Sequence, residues 1–311
     1  MLSYIKLFRP VNLLIIAVTQ YLVMFCIIKP FIAMNNWGLQ MSNFDFALFV
    51  FANVLLAAAG YVINDYFDTD TDAINKPQKN MVLAKIPRRQ AYLINIILNS
   101  IACVIGFYCA YKVGSLKLGF IFIVISLVLY YYSLKYKRQY VTGNIVVALL
   151  MAYTVLSVWL FEFFAIRSNP DAFIGLMRSF REISLFVLGL AVFAFLTTLV
   201  REIIKDMEDY EGDKACGCDT IPVRKGISFA GKTAIWITGL TMLLLAFAQF
   251  LVYKDYSILT WYLCVIQALF IYLIAKILKS KEKSEFHFLS IYTKMIMIAG
   301  LLSIQILYTY F

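Results

Sequence analysis

Residues 183–213 read ISLFVLGLAVFAFLTTLV and then, without a break, REIIKDMEDYEGD. The first part, 183–200, carries no charge and approaches the length of about 20 mainly apolar residues that a helix needs to cross a bilayer. The second part, 201–213, is mostly acids and bases. So abrupt a change reads as a helix leaving a membrane into water.

Eight further runs share the apolar character of 183–200. With it they cover roughly 10–30, 44–64, 91–112, 117–134, 141–166, 182–205, 231–252, 257–278 and 288–310. The composition agrees, with 62% hydrophobic and 15% charged residues. A soluble domain has about 45–50% and about 25%. No Gly/Ser/Pro-rich linker or low-complexity stretch divides the runs. The expectation is an all-α polytopic membrane protein, a single domain over 1–311 built as one bundle of about nine transmembrane helices. Lys6 and Arg9 precede the first run, but that run is too long for the core of a signal peptide and no small-residue cleavage site follows it.

The formal charge of +10 is explained by topology. With the N-terminus in the cytoplasm, twenty of the 28 Lys and Arg residues fall in cytoplasmic segments and seven in outer ones, while Lys294 lies inside the last run. Short cytoplasmic loops carry this excess as a rule. The expected location is the cell (inner) membrane, with the C-terminus outside, and no nucleic-acid partner is needed.

Two cytoplasmic loops, about 65–90 and 206–230, open with bursts of acids. Four spans separate them, a pattern of two related halves without a residue-level repeat. The first burst holds Asn64, Asp65, Asp68 and Asp72, which share one side if the helix continues at about 100° per residue; Asp70 points away. In the second, Glu202, Asp206, Asp209 and Asp213 share a stripe, and Gly212, a poor helix former, is expected to loosen the last turn. Carboxylates stacked at a membrane boundary repel and are costly to dehydrate. A cation between them removes both penalties. Oxygen donors without His or Cys suit Mg2+, which binds through one or two carboxylates and completes its shell with water and phosphate oxygens. Two opposed acidic faces would hold two ions bridged by a diphosphate. Lys76, Arg201, Lys205 and Lys135 belong to the same side and would neutralise phosphate oxygens that metal does not reach.

In these residues the chain resembles the UbiA superfamily of intramembrane prenyltransferases. Asn64, Asp65, Asp68 and Asp72 match its N-D-x-x-D-x-x-x-D motif. Asp209 and Asp213, with Gly217 and Thr220 behind, match the second, D-x-x-x-D. The string from Arg201 through Lys205-Asp206 and Glu208-Asp209 to Glu211-Gly212-Asp213 looks like the digeranylgeranylglyceryl-phosphate synthase branch. Members acting on aromatic acids show Tyr-Ala there. One departure is Asn75-Lys76-Pro77-Gln78-Lys79-Asn80, where the family has Asn-Lys-Pro-x-Arg-Pro. Lysine keeps the charge but loses a bidentate fork.

The resemblance implies that Asn64, Asp68, Asp209 and Asp213 ligate magnesium. Asp65, Asp72, Asp206 and Lys135 then support catalysis, and Lys76, Arg201 and Lys205 contact the diphosphate. The donor is a prenyl diphosphate, geranylgeranyl diphosphate in the branch that this string resembles, reaching the site from membrane lipid. The acceptor is a lipid phosphate such as geranylgeranylglyceryl phosphate, or alternatively an aromatic acid of quinone synthesis. A cation-coupled transporter is the reading from another class, but transporters set such acids near the bilayer midplane. Of the six cysteines, Cys216 and Cys218 sit in a polar loop, where the single histidine, His287, gives them too few co-ligands for zinc.

Overall fold

In the computed structural model the described residues are 6–69, 72–73, 86–252 and 256–311. They form helices and connecting turns with no β-strand. Nine of the helices are long and apolar enough to cross a membrane. In chain order the elements are α1 (Pro10–Ala33), α2 (Asn43–Phe67), α3 (Arg88–Lys112), α4 (Leu116–Leu134), α5 (Thr142–Arg167), the short α6 (Pro170–Leu176) and α7 (Phe180–Glu208). The short helices α8 (Tyr210–Ala215) and α9 (Ile221–Lys225) follow, then α10 (Ile227–Val252), α11 (Ser257–Ile277) and α12 (Lys283–Tyr308). Every expected span lies on one of them, with ends moved by a few residues. The last begins at Lys283 rather than 288 because Glu282 and Glu285 close a capping box there.

Local chemistry sets the other ends. Ser42 caps α2 by accepting the Asp45 N–H, and Asp45 adds negative charge to the positive helix start. Helix α1 widens to a π-helix over Val23–Ile28, just ahead of Pro30. Proline has no N–H to donate to the previous turn, so the ladder must shift register there.

The helices gather in two compact units, Met1–Lys137 with Thr154–Ser184, and Arg138–Tyr153 with Leu185–Phe311. In the first, α2 is the central element and packs on both α3 and α4. Phe49, Phe122 and Phe161 form its aromatic core, with Phe49 and Phe161 centroids 4.6 Å apart. The Phe122 ring lies 2.3 Å from where a Cβ on Gly106 would stand, so only glycine lets α3 and α4 meet so closely. In the second unit α12 packs on α11, and Phe193 of α7 occupies the space a Gly300 side chain would need. Gln267 Nε2 donates to Gln249 Oε1 at 2.5 Å, tying α11 to α10. Large apolar side chains such as Trp236, Trp261, Val104 and Phe250 stand exposed, as expected where hydrocarbon is the solvent.

Candidate active site

Helix α2 ends at Phe67, and Asp68 has φ −90° and ψ 4°. This bridge conformation bends the chain without losing its hydrogen bonds. The Asp68 N–H still donates to Asn64 O at 3.0 Å, and the Asp72 N–H to Asp68 O at 2.8 Å. The vertical register of Asn64, Asp68 and Asp72 therefore survives the bend. Asn64 Nδ2 donates to Asp68 Oδ2 at 2.6 Å.

The second acidic segment repeats this geometry. Helix α7 ends at Glu208, and Asp209 has φ −92° and ψ 8°. Its N–H donates to Lys205 O at 2.9 Å, and the Asp213 N–H to Asp209 O at 3.0 Å. Aligning the two bends pairs Asp65, Asp68 and Asp72 with Asp206, Asp209 and Asp213. Both segments read D-x-x-D-x-x-x-D, a residue-level repeat that the sequence reading did not recognise because it had no shared landmark on which to align. The irregularity expected at Gly212 falls instead at Asp209, and Gly212 is buried within α8. Beyond it, Gly217 takes a left-handed φ of 67°. Its N–H donates to Lys214 O and the Cys218 N–H to Asp213 O. This Schellman closure fixes the backbone of Asp213.

Each acid has a definite neighbour. Asp65 accepts from Arg9 Nη2 at 2.6 Å. Arg9 holds φ 52°, unusual without glycine, and its guanidinium also lies 5.0 Å from the Tyr61 ring centroid. Burial works against the Arg9 charge, but Asp65 and Tyr61 more than compensate and raise its pKa. Asp68, almost fully buried, accepts from Lys137 Nζ as well as from Asn64. Burial likewise opposes the Lys137 ammonium, while Asp68, Tyr132 and Asp72 together lift its pKa above the ordinary lysine value. Arg88 Nη2 donates to Thr69 Oγ1 at 2.6 Å beside them.

In the second segment Asn144 Nδ2 donates to Asp206 Oδ2 at 2.8 Å, and Glu202, Asp213 and Lys205 lie within electrostatic reach of that carboxyl. Glu202 accepts from Arg201 Nη1 at 3.1 Å and from Lys205 Nζ at 2.7 Å. Glu208 meets His287 Nδ1 at 2.9 Å, which gives the single histidine a partner in α7.

The structure thus brings Asn64, Asp65, Asp68 and Asp72 onto one bend, and Glu202, Asp206, Asp209 and Asp213 onto another. Lys135 caps α4 with its side chain exposed, and Lys137, two residues on, is the lysine that reaches Asp68. Lys76 lies outside the described residues. Sequence reasoning passed over Arg9, Arg88 and Lys137. Their only signal was membership of the cytoplasmic basic set, which marked many lysines and arginines equally.

Among the described residues no three carboxylate, imidazole or thiol groups converge enough to enclose a metal unaided. Magnesium does not require that, since water and phosphate oxygens fill most of its shell. The donors are carboxylates at both bends and, at the first, the amide of Asn64, hard oxygen atoms that fit such an ion.

Comparison with known proteins identifies the class. The UbiA prenyltransferase family pattern matches residues 22–293. Digeranylgeranylglyceryl phosphate synthase of Methanothermobacter thermautotrophicus is 33% identical over 233 residues, covering 74% of this chain and 69% of that one. The Methanosphaera stadtmanae enzyme of the same name is 28% identical over 301 residues, covering 96% and 97%. A solved structure of digeranylgeranylglyceryl phosphate synthase superposes with TM-score 0.62 at 27% identity, covering 97% of this chain and 96% of that one. A UbiA homologue from Archaeoglobus fulgidus, bound to GPP and Mg2+, has the same fold, with TM-score 0.57 and 19% identity over 97% and 99% of the two chains. The chain belongs to the UbiA prenyltransferase family. It is an integral membrane enzyme that transfers prenyl groups.

Proposed function

We propose that this enzyme transfers a geranylgeranyl group from its diphosphate to the free hydroxyl of geranylgeranylglyceryl phosphate. The observation that carries the reading is the repeated bend, which presents one D-x-x-D-x-x-x-D face at the end of α2 and another at the end of α7. The acceptor is supported by the names of the relatives and by the Arg201–Lys205 string, which stands where aromatic-acid enzymes carry Tyr-Ala.

Asn64, Asp68, Asp209 and Asp213 are the proposed magnesium ligands, one ion for each acidic segment. Bound magnesium supplies Lewis-acid charge to the departing diphosphate. Asp72 supports the first ligand set. Asp65 and Asp206 orient the two bends through Arg9 and Asn144. Lys137, Lys76 and Lys205 neutralise diphosphate oxygens, with Lys135 adding charge from the end of α4. Arg201, about one turn before Lys205 on α7, is assigned to the diphosphate with it.

The allylic C–O bond breaks and its electron pair leaves with the diphosphate. The acceptor's hydroxyl oxygen then attacks the allylic carbon and loses its proton. Water must stay out, since it would capture the same carbon. We further propose that 1–311 acts as one catalytic domain in the cell membrane, with the N-terminus cytoplasmic and the C-terminus outside.

A transfer assay on purified protein tests the reading. Labelled geranylgeranyl diphosphate and magnesium are supplied with geranylgeranylglyceryl phosphate or 4-hydroxybenzoate. An ether-lipid product that EDTA abolishes is expected. Product on the aromatic acid alone would overturn the acceptor assignment.

A further inference from the structure

The last residue of α7, Glu208, stands one position before Asp209 and so about 100° round the helix from it, off the acidic stripe. Its side chain is 7% exposed and meets Nδ1 of His287 on α12 at 2.9 Å. An ionised carboxylate has no proton to offer, so the ring nitrogen donates. Ser290, about one turn further along α12, donates its hydroxyl to His287 O at 3.0 Å and lies 3.5 Å from the other Glu208 oxygen.

Helix α12 is a firm base for this contact. Its start is closed by Glu285, whose carboxylate accepts the N–H groups of Lys281 and Glu282 at 2.7 and 3.0 Å. Phe286 and Leu289, which flank His287, are buried. Phe193 of α7 fills the space that a side chain on Gly300 of α12 would need. The two helices therefore touch again about 20 Å of helix from the Glu208–His287 contact.

The first bend has a different anchor at the same place. Aligning the bends equates Phe67 with Glu208, each the residue just before the bend. The Phe67 ring meets Tyr130 of α4 edge-on, with centroids 5.7 Å apart. In both segments the residue that precedes the bend is tied to a second helix, by rings in one and by a carboxylate and an imidazole in the other. Beyond Glu208 the ladder runs on, since the Asp209 N–H donates to Lys205 O and the Asp213 N–H to Asp209 O. A shift of Glu208 therefore carries both acids with it. A buried carboxylate that loses its donor is drawn toward water, which supplies such a shift.

We propose that His287 is a positioning residue for the magnesium site of the second bend, acting through Glu208 on Asp209 and Asp213. This rests on the reading of those two acids as ligands. His287 holds no ion itself; it sets where the ligands stand, as partners outside a metal's own shell do.

Two measurements on purified, EDTA-stripped protein in detergent test this. Manganese is titrated in and the free ion is followed by its EPR signal. Separately, diphosphate release from geranylgeranyl diphosphate is measured across magnesium concentrations. His287→Leu removes the donor and should raise both the manganese Kd and the magnesium concentration for half-maximal rate, on the order of tenfold. His287→Asn presents an amide N–H where Nδ1 stands and should bring both to within about threefold of the unaltered protein. Glu208→Leu added to His287→Leu replaces the pair by an apolar contact and should recover most of the loss. Should His287→Leu not purify as a single species, His287→Gln, whose amide reaches past the Nδ1 position, takes its place with the same expectation. Unmoved manganese binding and magnesium requirement in that variant, whatever its melting temperature, would reduce the pair to a packing contact and overturn the proposal. So would a loss that neither His287→Asn nor the double variant repairs. If the unaltered enzyme bound no manganese and needed no magnesium, the ligand reading would fall, and this proposal with it.

Discussion

Lys137 Nζ donates to Asp68 Oδ2 although 69 residues separate them, and the same oxygen accepts from Asn64 Nδ2. Asp68 is nearly buried, so its negative charge is answered inside the protein rather than by water. The lysine stands beside the first acidic bend, in contact with a proposed magnesium ligand. Lys135, nearer the end of α4, makes no comparable approach.

Removal of these two lysines should therefore have unequal effects. Lys137→Met is expected to raise the KM for the prenyl diphosphate by about ten- to a hundredfold, the worth of one charge-assisted contact. Lys135→Met should change it by less than about threefold, as for an exposed charge. Initial rates across donor concentrations check both, and equal losses would contradict the assignment of Lys137.

Asp68→Ala and Asp213→Ala should each abolish turnover while the protein still inserts in the membrane and purifies as a single species. Asp68 stands on the first bend and Asp213 on the second, so each variant strips a proposed ligand from a different acidic face and neither compensates for the other. Diphosphate release is the readout. Activity retained in both variants would remove the metal assignment.

Chelation gives a test without mutation. EDTA should stop diphosphate release, and magnesium added in excess should restore it. Asn64→Ala should raise the magnesium concentration needed for half-maximal rate, since it removes one oxygen donor and leaves the carboxylates. An unshifted requirement would exclude Asn64 as a ligand.

Arg9→Met leaves Asp65 a largely buried carboxylate without its cation. The loss should be about 1–3 kcal/mol, discounted because Arg9 is itself exposed. Asp65→Asn in the same chain should recover part of it, because the amide carries no charge to strand. Thermal melting in detergent compares the single and double variants, and simple additivity would show that the pair is not coupled.

Glu162 presents a different dependence. Its side chain, fully buried in α5, accepts the backbone N–H of Gln40 at 2.6 Å and of Met41 at 3.2 Å. Truncation to alanine orphans both donors and should cost about 2–4 kcal/mol. Glu162→Gln keeps one accepting oxygen and should cost less. Melting temperatures in that order, with KM values unmoved, are expected for an anchor remote from the chemistry.

Much of this was legible in the chain. Apolar length identified each span, since a bilayer imposes about 20 residues on any helix that crosses it. The acids were visible because charge at the end of an apolar run is costly and therefore conspicuous. The repeat between Asp65-Asp68-Asp72 and Asp206-Asp209-Asp213 was present in the letters too, but only the matching dihedrals at Asp68 and Asp209 supplied the alignment.

The partners were not legible. Arg9 for Asp65, Lys137 for Asp68 and Asn144 for Asp206 are all distant in the chain. The sequence by itself determined the membrane fold, the family and the two acidic faces, because hydropathy and helical spacing are local properties. The tertiary structure alone decided which cation meets which anion. Such pairing depends on which helix faces which, and a +10 chain offers every acid many candidates of equal charge.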